Sequence, residues 1–238
     1  MIMITICLSF FNQNDMLKFH IETWKNYSDE MKSKVKFSIV DDCSKTHIED
    51  IISEEMIKGI DIKIYRVHDD LICNIAGVRN LAAKECQTEW MIILDMDTVI
   101  PEESIKQIIE LAEKNEKDVA YKFNRKVPNK PKHEKNNKPH PAVCLIRKSD
   151  YWKAGGCEED LVGHYGSTDP SFWWKARKFI NIKNESQIFL DYYTEGEADI
   201  IRDKSHNIAL IERKKKDNLW STDFIRFKWS NVSTDSGY

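Results

Sequence analysis

Four short apolar runs rich in β-branched residues, at 2–10, 35–40, 60–67 and 90–94, are separated by stretches whose apolar residues recur with a helical period. Residues 14–27 carry Met16, Leu17, His20, Ile21 and Trp24 at helical spacing, and 48–57 repeat the pattern ahead of Gly59. It returns at 76–86 and at 101–114, the last with Pro101 at its first turn. Strands buried on both faces read as continuous apolar runs, and intervening helices provide the crossovers that parallel neighbours require. The alternation predicts an α/β domain with a mostly parallel central sheet, flanking helices and right-handed connections.

Three of the runs end in acid: Asp41-Asp42, Asp69-Asp70, and the pair Asp95 and Asp97. In a parallel sheet, functional groups gather beyond the carboxyl ends of the strands. The sharpest case is EWMIILDMDTVIPEES, residues 89–104, where an apolar run drives straight into two carboxylates one residue apart. Two such groups are costly to keep ionised without compensation. A hard divalent cation, which can also bind phosphates, takes oxygen ligands of this kind. The same residues also suit a helix start, with Asp97 or Thr98 as cap ahead of Pro101.

With 238 residues the chain is long enough for one self-sufficient core. A net charge of -3 gives no electrostatic case for nucleic acid or an anionic membrane, and the basic run Arg213-Lys214-Lys215-Lys216 reads as a solvated face. The six cysteines have no metal-ligand spacing and read as free thiols of a reducing compartment. MIMITICLSFF lacks a basic leader and a cleavage site and is too short to span a bilayer, so it reads as a first core strand. A soluble, cytoplasmic protein is expected, with peripheral membrane contact left open. Residues 124–141 are polar, basic and proline-bearing, which predicts a long loop able to act as a cover. A strand, a short helix and a glycine turn follow over 142–156, and from Ile208 a helix or arm that packs on the domain and frays over 233–238.

FSIVDDCS followed by AGVRNLAAKECQTEWMIILDMDTVIP resembles the nucleotide-sugar-binding half of GT-A fold glycosyltransferases, especially the family-2-like inverting enzymes. The first segment matches that family's strand ending in Val-Asp-Asp-x-Ser, and the second its Arg-Asn to Leu-Asp-x-Asp stretch. The resemblance covers residues 2 to about 101. It implies a single GT-A catalytic domain over 1–238, Rossmann-like: a donor half at 1–123, the loop 124–141, an acceptor side at 142–205 and a C-terminal lid or arm at 206–238. It implies metal-dependent transfer of a hexosyl or pentosyl group, with inversion, from a UDP- or GDP-linked donor to the hydroxyl of a glycan or other acceptor. By the same resemblance Phe10, Asn12, Asp42, Arg79 and Asp95 bind the donor, while Asp97, Asp95 and His206 hold the metal. An imidazole ligand suits Mn²⁺ better than Mg²⁺.

KAGGCEEDLVGHYGSTDPSFWWKAR, residues 153–177, resembles the family's acceptor segment. Gly166 aligns with its glycine, Asp169 with the Asp of its Glu-Asp pair and Phe172 with its aromatic residue; Thr168 stands where Glu is usual. Asp169 is thereby the implied general base, and His164, Tyr165 and Trp173 the implied acceptor-side residues. Asp169 before Pro170 also suits a helix cap alone, and helical alternation buries one of Trp173 and Trp174. Two other readings stand beside this one. A sugar-nucleotidyltransferase would need a glycine-rich phosphate loop after the first strand, where this chain has SFFNQND. A non-catalytic nucleotide- or sugar-binding module would leave the acids structural.

Overall fold

The computed structural model describes residues 3–194 and 200–233. Its strands are β1 (Ile4–Phe10), β2 (Val35–Asp41), β3 (Ile62–Val67), β4 (Trp90–Asp95), β5 (Thr98–Val99), β6 (Val119–Lys126), β7 (Cys144–Arg147), β8 (Asn181–Tyr192) and β9 (Trp229–Asn231). They form one nine-stranded sheet in the order β5-β8-β6-β7-β4-β1-β2-β3-β9. The helices are α1 (Asn14–Lys25), α2 (Asp29–Lys34), α3 (Ile48–Ile51), α4 (Glu54–Ile57), α5 (Ile75–Glu85), α6 (Glu102–Glu113), α7 (Lys148–Lys153), α8 (Thr168–Ala176) and α9 (Ser205–Asp217).

The four apolar runs become β1 to β4, paired in parallel as the alternation predicts. Beyond β4 the sheet is mixed: β7 runs antiparallel to β4 and β6, β8 parallel to β6, and β5 antiparallel to β8. Each face carries its own core. On one, Trp24 stacks on Phe37 at 4.5 Å between ring centres; on the other, Tyr151 stacks on Phe172 at 5.1 Å. Buried side chains of this size stabilise by roughly 1.5–3 kcal/mol each.

Four features differ from the sequence expectation. The helix expected over 48–57 splits into two single turns, because Ile48, Ile51 and Ile52 are all buried and Ile52 takes an extended backbone to reach the core. The loop expected at 124–141 gives its first three residues to β6 and then doubles back along that strand. Arg125 N donates to Lys138 O at 3.0 Å, Asn137 N donates to Arg125 O at 2.9 Å, and Asn136 Oδ1 accepts from Val127 N. This segment is pinned to the sheet rather than standing clear as a cover. β8 carries polar residues on both faces through its first half and β9 has only three residues, so neither shows an alternating apolar pattern.

The C-terminal arm does pack on the domain. Glu158 accepts from Ser221 N, Glu159 from Ile225 N, and Asp69 from Lys228 N, which leads the chain into β9 beside β3. The fraying expected at 233–238 falls almost wholly outside the described residues. All six cysteines are free thiols, four of them buried. Among the described residues no helix is long and apolar enough to cross a membrane.

Candidate active site

The turn Asp95-Met96-Asp97 follows β4 and is held from both sides. Tyr193 N donates to Asp97 O at 2.8 Å, and His20 Nε2 meets Met96 O at 3.0 Å. His20 is fully buried, and burial pushes its pKa down to about 4, so a neutral ring donates that bond. Inside helix α1, this histidine is a strut for the acidic turn.

Arg79, on α5, joins the two halves of the chain. Its Nη2 donates to both oxygens of Asp95 at 2.8 and 3.1 Å, and its Nη1 to Asp169 Oδ1 at 2.5 Å. The guanidinium is 5% exposed. Burial opposes its charge, and Asp95 and Asp169 more than offset this, holding its pKa well above the usual value. A planar fork suits such a bridge, since its donors diverge toward two carboxylates at once.

The two acids after β2 divide their roles. Asp41 is fully buried, paired with Arg66 and accepting from Ser44 N, so it closes the loop behind the sheet. Asp42 faces the cleft, where burial raises its pKa to about 6 against the lowering effect of Asn74 N, which donates to it at 3.2 Å. Asn74 precedes α5 and is fully buried; its side-chain amide makes no regular hydrogen bond but lies against Asp42 and lowers that group's pKa alongside the backbone N–H, and Arg79 Nε is unpartnered. Buried polar groups seldom go unpaired, and here both belong to residues that line the same cleft. Gly77 makes room for them: a Cβ there would lie 2.3 Å from Asn74 Oδ1 and 2.4 Å from Phe227.

On the acceptor side, Gly166 and Ser167 both take left-handed backbone angles, swinging the chain so that α8 starts at Thr168 with Asp169 in its first turn. Asn207, fully buried at the start of α9, donates to the carbonyls of Leu161, His164 and Gly166 and fixes this bend. The doubled-back loop delivers His140. Its Nδ1 accepts from Ala142 N and Val143 N at 3.1 and 3.2 Å, which leaves the ring proton on Nε2, 3.3 Å from Asp97 Oδ1.

These groups line one cleft of about 810 Å³ between β4, α5, the start of α8 and the inner face of α9. Of the residues expected from sequence, Phe10, Asp42, Arg79, Asp95, Asp97, Tyr165 and Asp169 line it. Four do not. Asn12 turns away, its Oδ1 capping Lys45 N. Trp173 is core, its Nε1 donating to Pro141 O and so propping the loop that carries His140. His206 is held away by the Asn207 clamp and stacks on exposed His164, with ring centres 3.7 Å apart. The imidazole that reaches Asp97 is that of His140.

Among the described residues no three His, Cys, Asp or Glu side chains converge as a metal cage. Both oxygens of Asp95 are taken by Arg79, whereas Asp97 Oδ1 accepts from Thr98 Oγ1 and faces His140, leaving Oδ2 without a protein donor among the described residues. One open carboxylate fits a hard cation that completes its shell with substrate phosphates and water. It does not fit a preformed all-protein site.

A nine-stranded α/β sheet with carboxylates and cations meeting in a cleft at its strand ends, divided into a parallel first half and a mixed second half, matches the architecture of GT-A glycosyltransferases. The family described as Glycosyl transferase family 2 matches residues 5–182, and the chain belongs to that family. S. aureus TarS 1–349 is similar in fold, with a TM-score of 0.67 at 16% identity over 89% of this chain and 64% of that one. The same TarS fragment in complex with UDP gives 0.68 at 16% identity, again over 89% and 64%. Mannosyltransferase PcManGT from Pyrobaculum calidifontis, in complex with GDP-Man and Mn²⁺, gives 0.63 at 12% identity, over 89% of this chain and 61% of that one. The chain thus spans less than two thirds of these proteins' lengths. A comparison with curated protein sequences gives no match.

Proposed function

We propose that this chain transfers a sugar from a nucleoside-diphosphate donor to an acceptor hydroxyl, with inversion, and that a divalent cation assists. The observation that carries the reading is the Arg79 fork, which locks Asp95 at the end of β4 to Asp169 at the start of α8 across one cleft. The similar structures hold UDP in TarS and GDP-Man with Mn²⁺ in PcManGT, which supports a nucleotide-sugar donor here.

In this reading Asp42 receives the nucleoside, and the buried Asn74 behind it steadies that carboxylate. Asp97, oriented by His140 and Thr98, would hold the cation, whose chemistry is to neutralise charge on the departing diphosphate; the Mn²⁺ bound in PcManGT is what favours Mn²⁺ over Mg²⁺. Asp169 has one oxygen committed to Arg79; the other takes the proton from the acceptor hydroxyl as its oxygen attacks the anomeric carbon on the face opposite the leaving group. As the C1–O bond to the diphosphate breaks, positive charge spreads over the ring carbon and oxygen. Tyr165 and Pro170 flank that side of the cleft.

The test is release of UDP or GDP from a panel of nucleotide sugars with Mn²⁺, with and without hydroxyl acceptors, in wild type, Asp97→Ala and Asp169→Asn. Turnover should vanish in Asp97→Ala. Asp169→Asn should retain donor binding and lose transfer. Donor binding without turnover by the wild type under every condition would overturn the reading in favour of a binding module.

A further inference from the structure

We propose that the surface formed by the ends of α8 and α9 docks on an anionic lipid bilayer. Its centre is the pair Trp174 and Trp220, with ring centres 5.3 Å apart and both rings half-buried. Lys178 Nζ stands 3.8 Å over the Trp174 ring and Lys215 Nζ 5.5 Å from the same centre. Beside the pair, Leu219 is 68% exposed and Phe179 47%. The left-handed Asn218 that ends α9 turns Leu219 outward, while Trp220 folds back onto α8.

The charge on this surface runs against the charge of the whole molecule. The chain carries -3 overall. Around the tryptophans, Arg177, Lys178, Lys215 and Lys216 are exposed, with the exposed acid Asp217 beside them at the end of α9, and none of the four has an acidic partner within salt-bridge distance among the described residues. By contrast, Lys214 of the same basic run is buried and is spent on Glu158 and Asp160. The run is therefore not one uniform solvated face. One lysine latches the C-terminal arm, and two of its neighbours add to a cationic ring around apolar side chains.

That composition matches a membrane interface better than a sugar-stacking platform. A saccharide needs an open ring face, and here a lysine occupies the face of Trp174. At a bilayer surface the amphipathic indole sits at headgroup depth, the lysine ammonium groups reach the lipid phosphates, and Leu219 and Phe179 enter the acyl boundary. Each cation near an anionic surface strengthens binding by roughly fivefold, falling off within a Debye length. The orientation is also productive. Lys215 and Ile208, on one face of α9, line the cleft as well, so docking here would set the acceptor side of the cleft against the membrane.

The experiment is flotation of the 238-residue chain with phosphatidylcholine vesicles, alone or containing 30% phosphatidylglycerol, about the anionic fraction at which a surface potential becomes substantial. The probes are wild type, Lys178→Glu/Lys216→Glu and Leu219→Ser; all three positions are exposed, and thermal unfolding confirms that the fold survives. Binding should appear only with phosphatidylglycerol and weaken sharply in high salt. It should fall at least tenfold in the double charge variant and severalfold in Leu219→Ser. The proposal is overturned by failure to bind either vesicle, by equal binding to both, or by binding indifferent to the substitutions. Binding to a soluble polyanion that competes with the vesicles and ignores Leu219→Ser would also overturn it, since the surface would then be reading charge alone. None of these outcomes depends on the sugar-transfer reading.

Discussion

Replacing Arg79 by methionine removes the one cation that two carboxylates share while roughly preserving volume. Three hydrogen bonds disappear, at 2.5, 2.8 and 3.1 Å, each joining charged partners. Hydrogen bonds to charged groups contribute about 1.5–3 kcal/mol each, but three bonds from one guanidinium do not add, and uncoupling a buried pair costs about 3–5 kcal/mol as a unit. The side chains of Asp95 and Asp169 are 23% and 27% exposed, so water recovers part of their hydration. The expected loss is therefore about 3 kcal/mol, at the lower end. Urea unfolding followed by tryptophan fluorescence measures it, as a fall in midpoint with unchanged slope. Arg79→Lys keeps the charge but presents one point instead of a fork, and should recover less than half of the loss. Neutralising both acids in the methionine background, with Asp95→Asn and Asp169→Asn, removes their mutual repulsion and should restore most of the stability. A loss below about 1 kcal/mol in Arg79→Met, or one that the double neutralisation leaves untouched, would refute the argument that this arginine is what allows the two acids to coexist.

Other substitutions probe the remaining parts of the cleft. Asp42 has a folded pKa of about 6, raised by burial; its contribution to stability is present below about pH 4, its usual range, and is lost as pH climbs to 6. Asp42→Asn should therefore flatten the stability profile over that window and stabilise the ligand-free protein at pH 7 by about 1–2 kcal/mol, less than the full shift because the group keeps some water; unchanged pH dependence in a chemical-denaturation series would count against it. Gly77→Ala must displace Asn74 or Phe227, so about 1–3 kcal/mol of stability and most of the nucleotide affinity should go together; calorimetry showing normal affinity would mean that Asn74 does not set the position of Asp42. His140→Ala should weaken Mn²⁺-dependent binding of UDP or GDP about 10–100-fold, as loss of a group that orients a metal-binding carboxylate does, whereas His140→Gln, which keeps an N–H near Asp97, should retain part of it. Mn²⁺ alone should bind weakly and the nucleotide should strengthen it, because Asp97 Oδ2 is the one open carboxylate oxygen of the turn among the described residues; tight binding of Mn²⁺ without nucleotide would contradict this.

What could be read from the sequence divides by the range of the contacts involved. β1 to β4 and the acids at their ends are legible because each is local: an apolar run, a stop, a carboxylate. The segment that holds Arg79 points to the donor side, but its bond to Asp169 spans ninety positions and no local pattern announces it. His20 sits at an apolar helical position and reads as core, which it is; that it holds Met96 O depends on α1 lying across the end of β4. His140 lies in a polar stretch with no periodicity, and reaches Asp97 only because that stretch folds back on β6. His206 lies outside the cleft for the opposite reason. Its position along the chain suggested a ligand, but the preceding turn and the Asn207 clamp decide where α9 begins and hence which way its first side chains point. Tertiary pairing, set by β6 to β8, thus selects among several sequence-plausible histidines. A direct consequence is that disturbing the β6–loop pairing should impair the site through His140: Asn136→Ala, which deletes the acceptor for Val127 N and the donor to Lys130 O, should lower Mn²⁺-dependent nucleotide affinity while leaving binding unaffected in the His140→Ala background. Additive losses in the double variant would show that the loop acts on the cleft by some other route.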